Sequence, residues 1–178
     1  NESPLENLSG PRSEILFDQD WKFHRGDLEG AEAREYSDES WRLLDLPHDW
    51  SIEDIPGTNS PLDSAAIGGI SLGYYVGGTG WYRKAFGVPS GLSGKRIFLM
   101  FDGIYMDADV WLNGKHLGKH PYGYTSFWYD ISEALEFGAQ NQLAVRVRNE
   151  GRNSRWYSGS GIYRHVRLTV TEPVHVPL

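Results

Sequence analysis

Residues 107–118 read DADVWLNGKHLG. Ala108, Val110 and Leu112 fall at every second position, which puts them on one face of a β-strand. Asn113-Gly114 follows at once. That dipeptide accepts the positive φ angles of a two-residue hairpin turn, so the chain is predicted to reverse there. A half-buried strand closed by a tight turn is an antiparallel element.

The rest of the chain repeats this pattern. TSFWYDIS (125–132) groups Phe127, Tyr129 and Ile131. QLAVRVRN (142–149) sets Leu143, Val145 and Val147 inward, with Arg146 and Arg148 outward. YRHVRLTVT (163–171) does the same with Val166, Leu168 and Val170. KRIFLMFD (95–102) is apolar almost throughout, the pattern of a central strand buried on both faces. WYRKAFGV (81–88) is a further strand, Trp21–Arg25 is a first one, and RLLDLPHDW (42–50) is extended up to Pro47. Helix is expected only as single turns, at Asp38–Trp41 with Ser37 as cap and within ISEALEFG (131–138). Short alternating strands, Gly/Asn turns and almost no helix predict an all-β fold, a jelly-roll β-sandwich. Residues 1–13, polar with two prolines, read as a flexible leader that includes the sequon Asn7-Leu8-Ser9; 14–172 read as the domain. Residues 173–178 read as a linker leaving it.

Composition excludes several functions. The formal charge of −7, with no run of Lys or Arg, argues against nucleic acid or an anionic membrane as the main partner. Cysteine is absent, so neither a disulfide framework nor thiol chemistry is expected. No stretch of 18 apolar residues could span a membrane. Aromatic residues reach 13%, with 7 Trp and 10 Tyr. Such side chains serve either a large core or a surface that must be apolar and hydrogen-bonding at once, as a sugar-binding surface is.

Catalytic patterns are sparse. There are 12 Asp and 12 Glu, but most Glu lie in the leader, in the acidic segment after Arg25 or in turns. Asp107 and Asp109 share a strand face and read as a solvated pair. His116 and His120 are four apart in a hairpin rather than on a helix, and no metal or cofactor is expected, although a calcium on carbonyls and one Asp stays open. YSGSG (157–161) has Ser158 where a nucleophile elbow around Ser160 needs glycine, and it lacks the elbow's strand–turn–helix setting. The triplets at Gly78 and Gly159 begin dinucleotide-type patterns that fail at Arg83 and Arg164. Residues 52–80, with seven Gly and two Pro, form a long irregular segment of the kind that carries binding loops. What remains is a set of loop aromatics: Tyr74, Tyr75, Tyr122, Tyr124, Trp156 and Tyr157. Beside Trp156, Arg155 has the donors to bind sugar hydroxyls while the indole stacks on the ring; alternatively, Trp156 covers one end of the sandwich.

PHDWSIED (47–54), GWYRKAF (80–86), FDGIYMDADVWLNGKHLGKHPYGYTSFWYDIS (101–132) and SRWYSGSGIYRHVRL (154–168) occur in this order. Together they resemble the N-terminal sugar-binding domain of glycoside hydrolase family 2, in its β-galactosidase branch, over about Trp21 to Val176. The resemblance implies a galactose-binding-domain-like jelly roll that packs against an immunoglobulin-like domain and a (β/α)8 barrel. The barrel carries both catalytic glutamates, so this chain is expected to be non-catalytic. It also implies that Asn153, Arg155, Trp156 and Tyr157 approach the sugar, with Asn59 as the candidate from the 52–80 loop. Several family members place an Asp where this chain has Arg155, so Arg155 contacts the sugar differently or binds the barrel. A β-galactoside is the implied substrate, and a periplasmic or secreted bacterial location the implied setting. The alternatives are an independent carbohydrate-binding module, or the same domain of a β-glucuronidase or β-mannosidase.

Overall fold

The computed structural model describes residues 5, 8, 10–151 and 158–176. Its strands are β1 (Arg12–Leu16), β2 (Trp21–Arg25), β3 (Arg42–Leu44), β4 (Gly78–Val88), β5 (Arg96–Phe101), β6 (Ala108–Leu112), β7 (Lys115–His120), β8 (Phe127–Asp130), β9 (Ala139–Asn149) and β10 (Val166–Thr171). They form a four-stranded sheet, β1-β10-β5-β8, and a six-stranded sheet, β3-β2-β4-β9-β6-β7. Every strand pairing is antiparallel, from Arg12↔Thr171 in one sheet to the long β4–β9 ladder, Gly78↔Asn149 to Val88↔Ala139, in the other.

The alternating residues do what their period requires. Val110, Leu112, Leu143, Val145 and Val147 from the six-stranded sheet join Ile97, Leu99, Val166, Leu168 and Val170 from the other in one core. At the β6–β7 turn, Asn113 (φ 52°) and Gly114 (φ 78°) both take positive φ, as the hairpin reading requires. The Asn113 Oδ1 accepts the Gln142 amide at 2.9 Å and its Nδ2 donates to Asn141 Oδ1 at 2.8 Å, which ties the hairpin tip to β9.

The outer face of the six-stranded sheet is covered as well. Segment 27–41 lies over Trp81, Trp111 and Ala144 and buries Ala31 and Trp41 there. Arg83, 1% exposed, holds it in place. Its guanidinium donates to the carbonyls of Ala31, Ala33, Arg34 and Tyr36 and to the Asp38 carboxylate. The helical turn expected at Asp38–Trp41 is a single hydrogen-bonded turn, Trp41 N–H to Asp38 O at 3.1 Å. The segment's shape comes from Arg83 rather than from local propensity.

Two other readings change. Asp107 and Asp109 are not a solvated pair. Asp109 is buried and receives Arg146, Arg148 and His116, while Asp107 pairs with Arg148 and Lys119. Arg146 itself lies over the rings of Trp81 and Trp111. The leader reading of 1–13 also shifts: Arg12 and Ser13 belong to β1, and Leu5 packs in the core. At the other terminus, the His175 ring lies against Phe98.

Candidate functional site

The strand order brings four connections to one end of the sandwich: 52–77, 102–107, 121–126 and 150–165. β4 and β10 start at this end, and β5, β7 and β9 finish there. The 52–77 connection holds one buried anchor, Leu72, in a 3-10 turn at Gly69–Leu72 and pairs Leu62 with Tyr75. Gly68–Leu72 then lies beside Asn149–Gly151, across a cleft of about 190 Å³.

The centre of this end is Ser158–Gly161, and the chain that meets it comes from distant stretches of the sequence. The backbone of 48–50 runs against it: His48 N–H donates to Ile162 O at 2.8 Å and Trp50 N–H to Ser160 O at 3.0 Å. On the other side, Tyr105 and Gly161 exchange both backbone hydrogen bonds, at 2.9 and 2.8 Å. The Asp49 Oδ1 accepts the amides of Ser160 (2.7 Å) and Ser51 (2.9 Å). The fully buried Ser160 hydroxyl meets Ser51 Oγ at 2.6 Å and accepts from Asn149 Nδ2 at 2.7 Å. Gly161 sits at φ 132° over Tyr82, where an added Cβ would come within 2.3 Å of the phenol oxygen and 2.6 Å of His48 O. No side chain fits, so glycine is required.

Beneath this junction runs a polar chain. The Tyr82 hydroxyl and His48 Nδ1 are 2.6 Å apart, and His48 Nε2 lies 3.0 Å from Glu53 Oε1. Arg42 donates to the same Glu53 oxygen at 2.6 Å. Burial pushes the His48 imidazole below its ordinary value, against the pull of Glu53. Burial also raises the Tyr82 phenol well above its ordinary range. Burial works against the Glu53 carboxylate, yet hydrogen bonds from Arg42 and His48 prevail and hold its pKa down. At ordinary pH the chain is therefore a neutral imidazole between a neutral phenol and a carboxylate.

The Ser160 hydroxyl is fully buried and held by Ser51 Oγ and Asn149 Nδ2, which speaks against the nucleophile reading. Among the described residues no group of three His, Cys, Asp or Glu could hold a metal ion, and no helix is long and apolar enough to cross a membrane.

Asn153, Arg155, Trp156 and Tyr157 lie in 152–157, outside the described residues. Asn59 is exposed at the tip of a turn closed by Ile55 N–H to Ser60 O, and no hydrogen bond at the Ser158–Gly161 junction involves it. Of the loop aromatics, Tyr74, Tyr122 and Tyr124 are exposed, whereas Tyr75 is half-buried. Asp49, Ser51, Asn149 and Tyr105 were not singled out from the sequence. They lie in PHDWSIED, FDGIYMD and QLAVRVRN, but nothing in the spacing said that these three stretches meet Ser158–Ile162.

Comparisons with known proteins agree with this fold. The family model described as glycosyl hydrolase 2 galactose-binding domain-like matches residues 74–167. The β-galactosidase BoGH2A of Bacteroides ovatus is 48% identical over 171 residues, covering 96% of this chain and 19% of that protein. A β-glucuronidase of Formosa agariphila is 31% identical over 189 residues, covering 96% and 18%. The crystal structure of a glycosyl hydrolase family 2 member from Bacteroides cellulosilyticus superposes with a TM-score of 0.87 at 55% identity, covering 90% of this chain and 21% of that one. The chain thus spans about a fifth of the length of these relatives. With more than half of its residues matched by the family model and both sheets in place, the chain belongs to the galactose-binding-domain-like family found at the N-terminus of family 2 glycosyl hydrolases.

Proposed function

We propose that this chain is the non-catalytic N-terminal domain of a family 2 β-galactosidase, and that segment 152–157 completes the sugar pocket of a catalytic part elsewhere in the polypeptide. The observation that supports this most is the convergence of Asp49, Tyr82, Tyr105 and Asn149 on Ser158–Gly161. These residues bind no substrate in this reading. They hold the root of the segment that carries Arg155, Trp156 and Tyr157. The immunoglobulin-like and barrel domains are the proposed intramolecular partners, a terminal β-galactoside is the proposed substrate, and the periplasm or the exterior of a bacterium is the proposed location. The 48% identity to a β-galactosidase favours this substrate. Similarity to a β-glucuronidase supports a second reading with a glucuronide instead.

The test compares this chain with its full-length polypeptide on nitrophenyl β-galactoside and nitrophenyl β-glucuronide. Turnover of the galactoside by the full-length protein alone is expected. Turnover by the 178-residue chain would overturn the non-catalytic assignment, and a preference for the glucuronide would replace the first substrate by the second. In the full-length enzyme, Arg155→Ala and Trp156→Ala are expected to change kinetics. A change in stability alone would make the segment a scaffold.

A further inference from the structure

A second surface lies at the same end and leans on Tyr105 of the junction. The connection between β7 and β8 reads PYGYTS, residues 121–126, and carries no charge. Tyr122 and Tyr124 are more than half exposed, and their rings meet edge to face with centroids 5.5 Å apart. Adjacent exposed rings make a contiguous apolar patch, the kind of surface that interaction sites use. This pair is also held firmly. Tyr124 packs edge to face on the buried Tyr105 ring, with centroids 5.3 Å apart. Tyr163 donates its hydroxyl to Gly123 O at 2.8 Å. Gly123 lies so close to Tyr105 that an added Cβ would come within 2.2 Å of the ring. Loop and ring are therefore packed backbone against face, and the two exposed tyrosines are pre-positioned.

Beside them opens a cleft of about 490 Å³, lined by Pro47, Asp102, Ser126, Tyr163, Arg164 and His165. That volume lies within the range of small-ligand sites. Its charges are mostly spent within the protein: Asp102 accepts from Arg167 at 3.2 Å, and His165 Nδ1 is held by Asp18 at 2.7 Å. Arg164 has five N–H donors, of which one is used among the described residues, in a 3.5 Å contact to Asp102 O. The Ser126 side chain is exposed at the rim. The surface thus combines apolar ring faces, phenol and serine hydroxyls and a fan of donors, with little net charge. That chemistry suits a ligand with apolar faces and a rim of hydroxyls, and it offers little to a hydrocarbon.

We infer that Tyr122, Tyr124 and the Tyr163–Arg164 cleft form a binding site for a neutral oligosaccharide, distinct from the segment that carries Arg155. The site rests on the reading of this chain as part of a glycan-processing enzyme, but not on which sugar that enzyme cuts.

The experiment is an NMR titration of the isotope-labelled 178-residue chain with galactose and with a β-1,4-linked galactotetraose. Shifts at Tyr122, Tyr124, Tyr163 and Arg164 are expected, with the tetraose binding about tenfold more tightly than the monosaccharide, or about 1.4 kcal/mol. Tyr124→Ala and Arg164→Ala should each weaken the tetraose at least several-fold. Trp128→Ala, which removes an equally exposed aromatic outside the cleft, should leave it unchanged. The core methyl shifts of each variant report whether it is folded. Saturating tetraose without shifts at these residues, or equal weakening by Trp128→Ala, overturns the site. Shifts as expected, with a full-length protein that cleaves neither nitrophenyl glycoside, keep the site and remove the enzymatic reading.

Discussion

The Asp49 carboxylate accepts the Ser160 amide at 2.7 Å across 111 residues of sequence, and the same oxygen accepts the Ser51 amide. One side chain thereby caps a short 3-10 turn and pins the strand entry that follows 152–157. Asp49→Ala leaves both amides without this acceptor inside the protein. Each unmet buried donor costs on the order of 1–3 kcal/mol, so a loss of about 2–4 kcal/mol is expected by urea unfolding. Asp49→Asn keeps an acceptor oxygen and should lose less than half as much.

Gly161→Ala tests the junction sterically. The new methyl would overlap the Tyr82 hydroxyl and the His48 carbonyl at a positive φ. Neither neighbour yields readily, because Tyr82 is in the core and the His48 backbone is tied to Ile162 O. A loss above about 3 kcal/mol is expected, among the larger single-residue effects. A variant that unfolds at the wild-type temperature would show that this end can repack.

Arg83 makes a separate prediction. Four carbonyls and the Asp38 carboxylate share its guanidinium, and no ammonium has the geometry to serve them all. Arg83→Lys should cost about 3 kcal/mol, the scale for breaking a buried charge network. Amide exchange in 31–38 should accelerate well before the β4–β9 ladder opens.

Acid should destabilise the fold in two steps. Burial lowers the pKa of both His48 and His120. The unfolded chain then takes up protons at these positions first, and stability falls as pH drops below about 6.5, the ordinary imidazole value. A second fall begins below about 4. Burial alone would raise the pKa of Asp38, Glu53 and Asp109, but hydrogen bonds from their cationic partners hold it down. Thermal unfolding between pH 4 and 8 should show a plateau at the upper end. His48→Gln should flatten the first step. A stability maximum near pH 5 would contradict the two histidine shifts.

Much of the sandwich was legible because one physical rule covers it. Alternation in 107–112 and 142–149 separates core from outer face, and Asn113-Gly114 allows only a tight turn. Arg146 and Arg148 were correctly placed outward, yet their partners were not visible. Asp107 and Asp109 read as solvated because a single strand carries no information about the neighbour that brings the arginines. Arg83 and segment 27–41 failed for the same reason, since the segment has no periodicity of its own and takes its shape from a cation on another strand.

By itself, the sequence determined which faces of the strands are apolar, where the hairpin turns, and which family the chain resembles, because these depend on residues within a few positions of one another. Only the tertiary structure decided that PHDWSIED, GWYRKAF, FDGIYMD and SGSGIYR are one object meeting at Gly161. Hydrogen bonds such as Asp49 to Ser160 join residues more than a hundred positions apart. Strand order sets their proximity, and local pattern does not encode it.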